Sequence, residues 1–369
     1  MIKILHYGLT NHLGGIESYL YRLVSNIDRT KFKLDFLILG NDLPCFYQEL
    51  KARGCEFHFV TERSKNPRKN KNEIREILLS SNYDIVHCNL NSLSYITPAL
   101  EAINCGIPTI VHSRNAGIRN SIKSRILHKI NFHRIAKDNI TKLAVSRVAG
   151  EWMFGKNQNF TVINNGVDIN KFKFDKDARA AIRDELSIEP DEYLVAHTGA
   201  LRDQKNHKFI LDIFEQFHNI RKKSKLLLVG SGELEGEITT KIKKLNLEKS
   251  VIMLGNRSDI PNILSGSDAY LFPSLYEGFP NSVIEAETSG LPTLMSDTIT
   301  DEVIVNKNAR QLSLSNTAKN WAETLVKLVD STKERNSFAE IVENEGFSVN
   351  DEITKIENIY LKLTRWEGD

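Results

Sequence analysis

Short apolar runs recur along the chain, each closing on a glycine or a polar turn and leading into an amphipathic stretch. Ile2–His6, Leu34–Leu39, Phe57–Val60, Ile85–Cys88 and Thr109–His112 form a first series, continued by Leu143–Val145 and Phe160–Ile163. Leu194–His197, Leu226–Val229, Val251–Leu254, Ala269–Phe272 and Thr293–Met295 form a second. Such runs are too short for helices and read as strands buried on both faces. Between them lie segments with helical spacing, such as Ile16, Leu20, Leu23, Val24 and Ile27. Further helices are expected near Phe46–Arg53, Glu73–Leu79, Leu93–Asn104, Lys208–Ile220, Thr317–Val329 and Asp351–Leu363. Strand–helix alternation of this kind implies right-handed crossovers and parallel sheets. A chain of 369 residues exceeds what one core usually holds, so an α/β protein of two such domains is expected.

Charge divides the chain. Residues 1–165 carry 23 Lys and Arg against 13 Asp and Glu, and the remainder 26 against 34, within a net charge of +2. A basic half joined to an acidic half suggests an anionic partner on one side: nucleic acid, a membrane surface or a pyrophosphate. The four cysteines, Cys45, Cys55, Cys88 and Cys105, form no C-x-x-C pair, which fits a reduced, cytoplasmic setting rather than a disulfide or zinc framework. No stretch reads as a signal peptide or membrane span, so any membrane contact is expected to be peripheral.

Ligands of parallel sheets lie at the carboxyl ends of the strands. After Ala269–Phe272 comes Pro273–Pro292, PSLYEGFPNSVIEAETSGLP. Gly278 and Pro280 break the chain, and Asn281–Ser289 reads as a helix closed by Gly290. A helix N-terminus there offers backbone N–H groups to an anion or a hydroxyl-rich ligand. Glu277 sits in the loop, and Glu285 leans back toward it. Alternatively, Asn281, Glu285 and Ser289 are the wet face of an amphipathic helix. Gly14–Gly15 repeats the strand–glycine–helix arrangement, and Glu17 is either a dipole partner or an acceptor contact. His112 ends a strand. Arg202 and Lys205 precede the helix near Lys208, and Ser231, Gly232, Asn256 and Arg257 follow two further strand ends. Arg63–Lys71 reads as a basic loop. Ile118–Lys137 reads as a basic amphipathic helix, with Arg119, Lys123, Arg125 and Lys129 around Ile118, Ile122, Ile126 and Ile130. It is either a membrane-surface helix or a surface helix whose apolar stripe packs on its own core. Asp175-Lys176-Asp177 has the D-x-D form of a metal site but reads as a helix start.

The sequence EGFPNSVIE resembles the Glu-x7-Glu motif of the retaining glycosyltransferases of family 4. GGIES at 14–18 resembles that family's N-terminal Gly-Gly-x-Glu loop, and Asn165–Asp168 its Asn-Gly-Val-Asp hinge. AGEWMFGK at 149–156 is similar to bacterial capsular and exopolysaccharide transferases. The resemblance implies a GT-B fold, two Rossmann-like domains facing a cleft. Domain 1–168 would lie on the acceptor side and 169–349 would hold the nucleotide sugar. Residues 350–369 would cross back to the first domain.

The resemblance also implies roles. Glu277, with Gly278, Phe279, Pro280 and Asn281, would hold the donor sugar, and Glu285 the ribose. His112 would lie beside the sugar. Lys205 would meet the diphosphate, as would Gly14, Gly15 and Gly232, with Asn256 and Arg257 beside the base. Where many members carry Arg, this chain has Ala200, and Arg202 is the candidate substitute. The implied reaction moves a sugar, with retention, from a nucleotide diphosphate such as UDP to a growing, lipid-linked glycan. It needs neither metal nor other cofactor, and attachment would be peripheral, at an anionic inner membrane face. Two rivals remain: another GT-B enzyme such as a nucleotide-sugar 2-epimerase, or a non-catalytic nucleotide-sugar-binding subunit.

Overall fold

The computed structural model describes residues 1–117, 122–135, 140–332, 334–335 and 338–364. They form two compact units: Met1–Asn165 together with the C-terminal stretch from Val349, and Gly166–Ser348. The division falls slightly before 168 and 349. The reason is local: the Val167 N–H donates to the Phe347 carbonyl at 2.8 Å, which ties the hinge-like turn to the second unit.

The first unit is built on strands β1 (Ile2–Tyr7), β2 (Phe32–Leu39), β3 (Phe57–Val60), β4 (Ile85–Leu90), β5 (Thr109–Ser113), β6 (Thr141–Ala144) and β7 (Thr161–Val162). All pair in parallel, in the order β3-β2-β1-β4-β5-β6-β7. β4 and β5 are buried throughout, as their apolar runs require. Tyr19, Leu20 and Leu23 of the helix Gly15–Asn26 cover one face, joined by Ile353, Ile356 and Tyr360 of the last helix, Val349–Thr364. Arg22 fixes that last helix through a bidentate contact with Glu352, at 2.9 and 3.2 Å.

The second unit carries β8 (Tyr193–Thr198), β9 (Ser224–Val229), β10 (Val251–Gly255), β11 (Ala269–Phe272), β12 (Thr293–Ser296) and β13 (Ala309–Leu312). They too are parallel, in the order β10-β9-β8-β11-β12-β13. Each sheet reverses its winding beside its first strand, between β1 and β4 and between β8 and β11. That reversal opens a crevice at the carboxyl ends of the strands.

Three local readings change. The basic loop from Arg63 becomes helix at Pro67, because Asn66 caps Pro67–Ser80 by accepting from the Lys69 N–H. The helix expected from Leu93 starts only at Thr97, with Pro98 in its first turn. β13 has no apolar run and escaped notice; it is the outermost strand, where side chains are partly exposed.

Candidate functional site

In the second unit the loops after β8 and β11 meet at the switch point. Gln204 and Leu275 join by a backbone hydrogen bond of 2.8 Å, and the Asn206 amide donates to the Pro273 carbonyl at 3.1 Å. This brings Lys205 Nζ to 2.8 Å from Glu277 Oε1, while Gln204 Nε2 donates to Glu277 Oε2 at 3.0 Å. The Lys205 ammonium also lies 4.6 Å above the Phe272 ring. Arg202 is exposed, and its guanidinium makes no ion pair with a described residue. Gly230 has φ +137°, and a Cβ there would meet the Gly199 carbonyl at 2.2 Å. A Cβ on Gly232 would lie 2.6 Å from the Leu201 carbonyl oxygen. These glycines serve the close approach of two loops.

Helix Asn281–Thr288 follows Pro280, which gives no side-chain cap, and the Val283 N–H donates back to the Pro280 carbonyl at 3.0 Å. The wet-face alternative fails. Ser289 and Glu287 are fully buried, and Ser289 accepts from Arg335 at 2.9 Å. Phe279 is buried and stacks on Phe347, so its ring serves packing. Tyr270 lies under this helix, its hydroxyl 2.8 Å from Thr198 Oγ1. Burial raises its pKa, and the nearby Glu285 carboxylate adds to the rise. The Arg257 guanidinium is held by Glu185 at 2.8 Å and Asp259 at 2.7 Å. Asn256 accepts from the Ser231 hydroxyl at 3.1 Å. Asp175 caps Lys176–Glu185 by accepting from the Asp177 and Ala178 N–H groups. Among the described residues, no group of three or more His, Cys, Asp or Glu side chains is placed to hold a metal ion.

In the first unit Gly8 has φ +127°, and a Cβ would lie 2.5 Å from the Asn89 carbonyl, so only glycine lets the chain leave β1 here. Glu17 is 5 % exposed and accepts from the Thr10 N–H and O–H, at 3.2 and 2.6 Å. It stands in the first turn of helix Gly15–Asn26, as the dipole reading expects, and also holds the 8–14 loop from inside. Gly14 precedes helix Gly15–Asn26 without a side-chain cap, and nothing lies within 4 Å of a Cβ built on Gly15. Beside this loop lies a cavity of about 510 Å³, walled by Tyr7, Tyr95, Asp42, Glu62, Arg63 and Lys123. Arg119 lies outside the described residues.

His112 departs most from expectation. Its ring is fully buried, with Nδ1 3.2 Å from His87 Nε2 and Nε2 3.3 Å from Arg114 Nη1. A guanidinium only donates, so His112 carries its proton on Nδ1 and donates to His87. His87 donates in turn to the Tyr360 hydroxyl at 2.8 Å; the Asn89 amide donates to His6 Nδ1 at 3.3 Å, so His6 carries its proton on Nε2 and donates to the same hydroxyl at 3.3 Å. Burial lowers the pKa of His6 to about 3 and those of His87 and His112 well below the usual value, so all three are neutral. Burial also lowers Arg114 to about 10; it lies 3.7 Å over the Tyr19 ring and donates to Asn165 at 2.7 Å. Both ring nitrogens of His112 are thus engaged inside the protein. The sequence does not single out His87 or Arg114; it marks His6 only as a strand end and Tyr360 only as part of the apolar stripe of the last helix.

Two family models match, "Glycosyltransferase Family 4" over residues 13–171 and "Glycosyl transferases group 1" over 178–345. Among known proteins, the chain is similar to EpsF of Bacillus subtilis, named as a glycosyltransferase. The two are 29% identical over 97% of this chain and 96% of that one. It is 24% identical to the UDP-Gal:α-D-GlcNAc-diphosphoundecaprenol α-1,3-galactosyltransferase of Escherichia coli, over 98% and 97% of the two chains. Its fold matches the crystal structure of Anabaena HepE with UDP and glucose at a TM-score of 0.81. That alignment has 19% identity and covers 98% of this chain and all of the other. Among the described residues no helix is long and apolar enough to cross a membrane. The two parallel-sheet units and the two matches, which together span most of the sequence, establish that the chain belongs to glycosyltransferase family 4 and has the GT-B fold.

Proposed function

We propose that the chain transfers a sugar from a UDP-sugar to a lipid-linked glycan, with retention of configuration, in the assembly of a bacterial capsular or exopolysaccharide. The observation that carries this reading is the Lys205–Glu277 pair at the switch point, next to a helix N-terminus without a side-chain cap. Lys205, Arg202 and that N-terminus meet the charge that builds on the departing diphosphate, the role of a preorganised oxyanion site. Glu277 and the Gly278–Asn281 backbone receive the sugar hydroxyls, and Glu285 the ribose. Ser231, Gly232 and Asn256 border the nucleotide. Attack comes from the face the diphosphate leaves, with a diphosphate oxygen as base and no enzymic nucleophile. The relative that acts on a diphosphoundecaprenol acceptor and the neighbour bound to UDP support the acceptor and donor classes.

The test is to incubate the chain with a panel of UDP-sugars and an undecaprenyl-diphosphate saccharide, and to read the new linkage by NMR. An α-linkage from an α-configured donor supports the reading, and inversion overturns the mechanism. Donor conversion without acceptor assigns a 2-epimerase. Donor binding with no turnover under any condition assigns a binding subunit.

A further inference from the structure

The helix Ile122–Ile135 is apolar on two sides. Its inner side belongs to the first unit: Ile135 is buried, and Phe132 packs on the core beneath. Polar bonds fix that side, with Asn131 donating to the Leu93 carbonyl at 2.7 Å and His128 accepting from the Leu93 N–H at 3.1 Å. The outer side carries Ile122, Ile126 and Ile130, which are 75%, 54% and 54% exposed. Four-residue spacing sets them in one row along the helix. At ~100° per residue, Arg125 and Lys129 run along one flank of the row, and Lys123 and Arg134 along the other. All four cations are exposed.

Among the described residues, nothing in the packing of the unit explains the row. The expectation that this stripe packs on its own core fails, since the core takes the opposite side. An exposed apolar row edged on both flanks by long cationic side chains suits one environment. The apolar centre sits among acyl chains while the cationic heads reach back to the phosphate level. A protein partner would bring no comparable reason for cations on both edges. Lys123 and Leu127 also line the cavity beside the 8–14 loop, so the same helix borders that cavity.

We infer that the chain docks on an anionic bilayer through this helix. Ile122, Ile126 and Ile130 enter the acyl boundary, and Lys123, Arg125, Lys129 and Arg134 lie on lipid phosphates. The attachment is therefore hydrophobic as well as electrostatic, and part of it persists at high salt. This deepens the proposed action on a lipid-linked acceptor, but its test does not depend on transfer.

The full chain is co-sedimented with phosphatidylcholine vesicles, with and without phosphatidylglycerol, at low salt and at about 1 M salt, where screening leaves a Debye length of ~3 Å. Wild type should bind the anionic vesicles and keep a measurable fraction bound at high salt. The triple variant Ile122→Ser, Ile126→Ser, Ile130→Ser should partition on the order of 100-fold more weakly at both salts. The variant Lys123→Gln, Arg125→Gln, Lys129→Gln, Arg134→Gln should lose the preference for phosphatidylglycerol. In Ile126→Trp the indole emission should shift to the blue on anionic vesicles. Unchanged UDP affinity of the serine variant in calorimetry shows that it is folded. A serine variant that partitions like wild type overturns the inference, as does an indole emission that ignores vesicles. Loss of self-association without any change in vesicle binding would assign the row to a second copy instead. Wild type that binds UDP but ignores vesicles defeats this inference alone. Wild type that binds vesicles but neither UDP nor acceptor defeats the transferase reading alone.

Discussion

Lys205 Nζ lies 2.8 Å from Glu277 Oε1, with both side chains less than one-fifth exposed. The two residues come from loops that follow different strands, β8 and β11. A partly desolvated ion pair is a weak source of stability but a good means of holding two groups in register. Lys205→Ala should lower kcat by about 100-fold or more, the scale of a lost preorganised donor. Glu277→Gln keeps the shape and should act mainly on the sugar, raising KM for UDP-sugar more than Kd for UDP. Steady-state kinetics beside UDP calorimetry separates the two; equal losses for UDP and UDP-sugar would remove Glu277 from the sugar site.

Arg202 stands exposed two residues after Ala200 and has no ionic partner among the described residues. Arg202→Ala should leave thermal stability within about 0.5 kcal/mol, as for other exposed substitutions. If it replaces the arginine missing at Ala200, turnover should nonetheless fall at least 10-fold, by about 1.4 kcal/mol of transition-state stabilisation. Wild-type kinetics in this variant would end the idea of compensation.

Glu285 is half-buried on a helix whose other faces are packed. Glu285→Ala should weaken UDP binding by roughly 1–3 kcal/mol, the range for hydrogen bonds to a charged group. Uracil affinity should be spared, because the loss belongs to the ribose. Calorimetry with UDP and with uracil decides: equal affinity of variant and wild type for UDP would refute the ribose assignment.

Periodicity made both sheets legible, because parallel strands buried on two faces must be continuous apolar runs. The glycine loops were legible for the same local reason: Gly8 and Gly230 hold φ values that other residues rarely adopt. Side-chain direction was not legible. A strand-end histidine can point along the sheet toward a ligand or sideways to its neighbours. Only the register that sets His6 against His87 and Asn89 against His112 decides for the second. Nor could spacing say which side of Ile122–Ile135 faces the core, since both sides are apolar. Nor could the sequence show that Glu185 and Asp259 hold the Arg257 guanidinium.

Tyr360 links the last helix to the buried histidines, 2.8 Å from His87 Nδ1 and 3.3 Å from His6 Nε2. Tyr360→Phe keeps the ring and leaves two buried imidazole nitrogens without their partner. The cost should be about 1–3 kcal/mol. The loss should appear as a lower denaturation midpoint with unchanged m-value. A variant as stable as wild type would mean that a water replaces the hydroxyl, and the chain of hydrogen bonds would then carry no specific stability.

Glu287 is fully buried within the central motif. Its Oε2 accepts from the Val305 and Asn306 N–H groups at 3.0 and 2.8 Å, whereas Oε1 has no hydrogen-bond partner among the described residues. Burial pushes its pKa up to about 8 from an ordinary value of 4.5, against the pull of those two N–H groups. The sign follows directly. Between those two values the folded protein holds a proton that the unfolded chain has released, so stability must fall as pH rises through the window. Glu287→Gln cannot ionise and keeps both acceptor contacts. Compared with wild type, it should be relatively more stable at pH ~8 than at pH ~5, by on the order of 1 kcal/mol or more. Thermal unfolding of both proteins across that range measures the difference. Parallel curves would show that Glu287 is ionised in the folded state and that its unpartnered oxygen is hydrated.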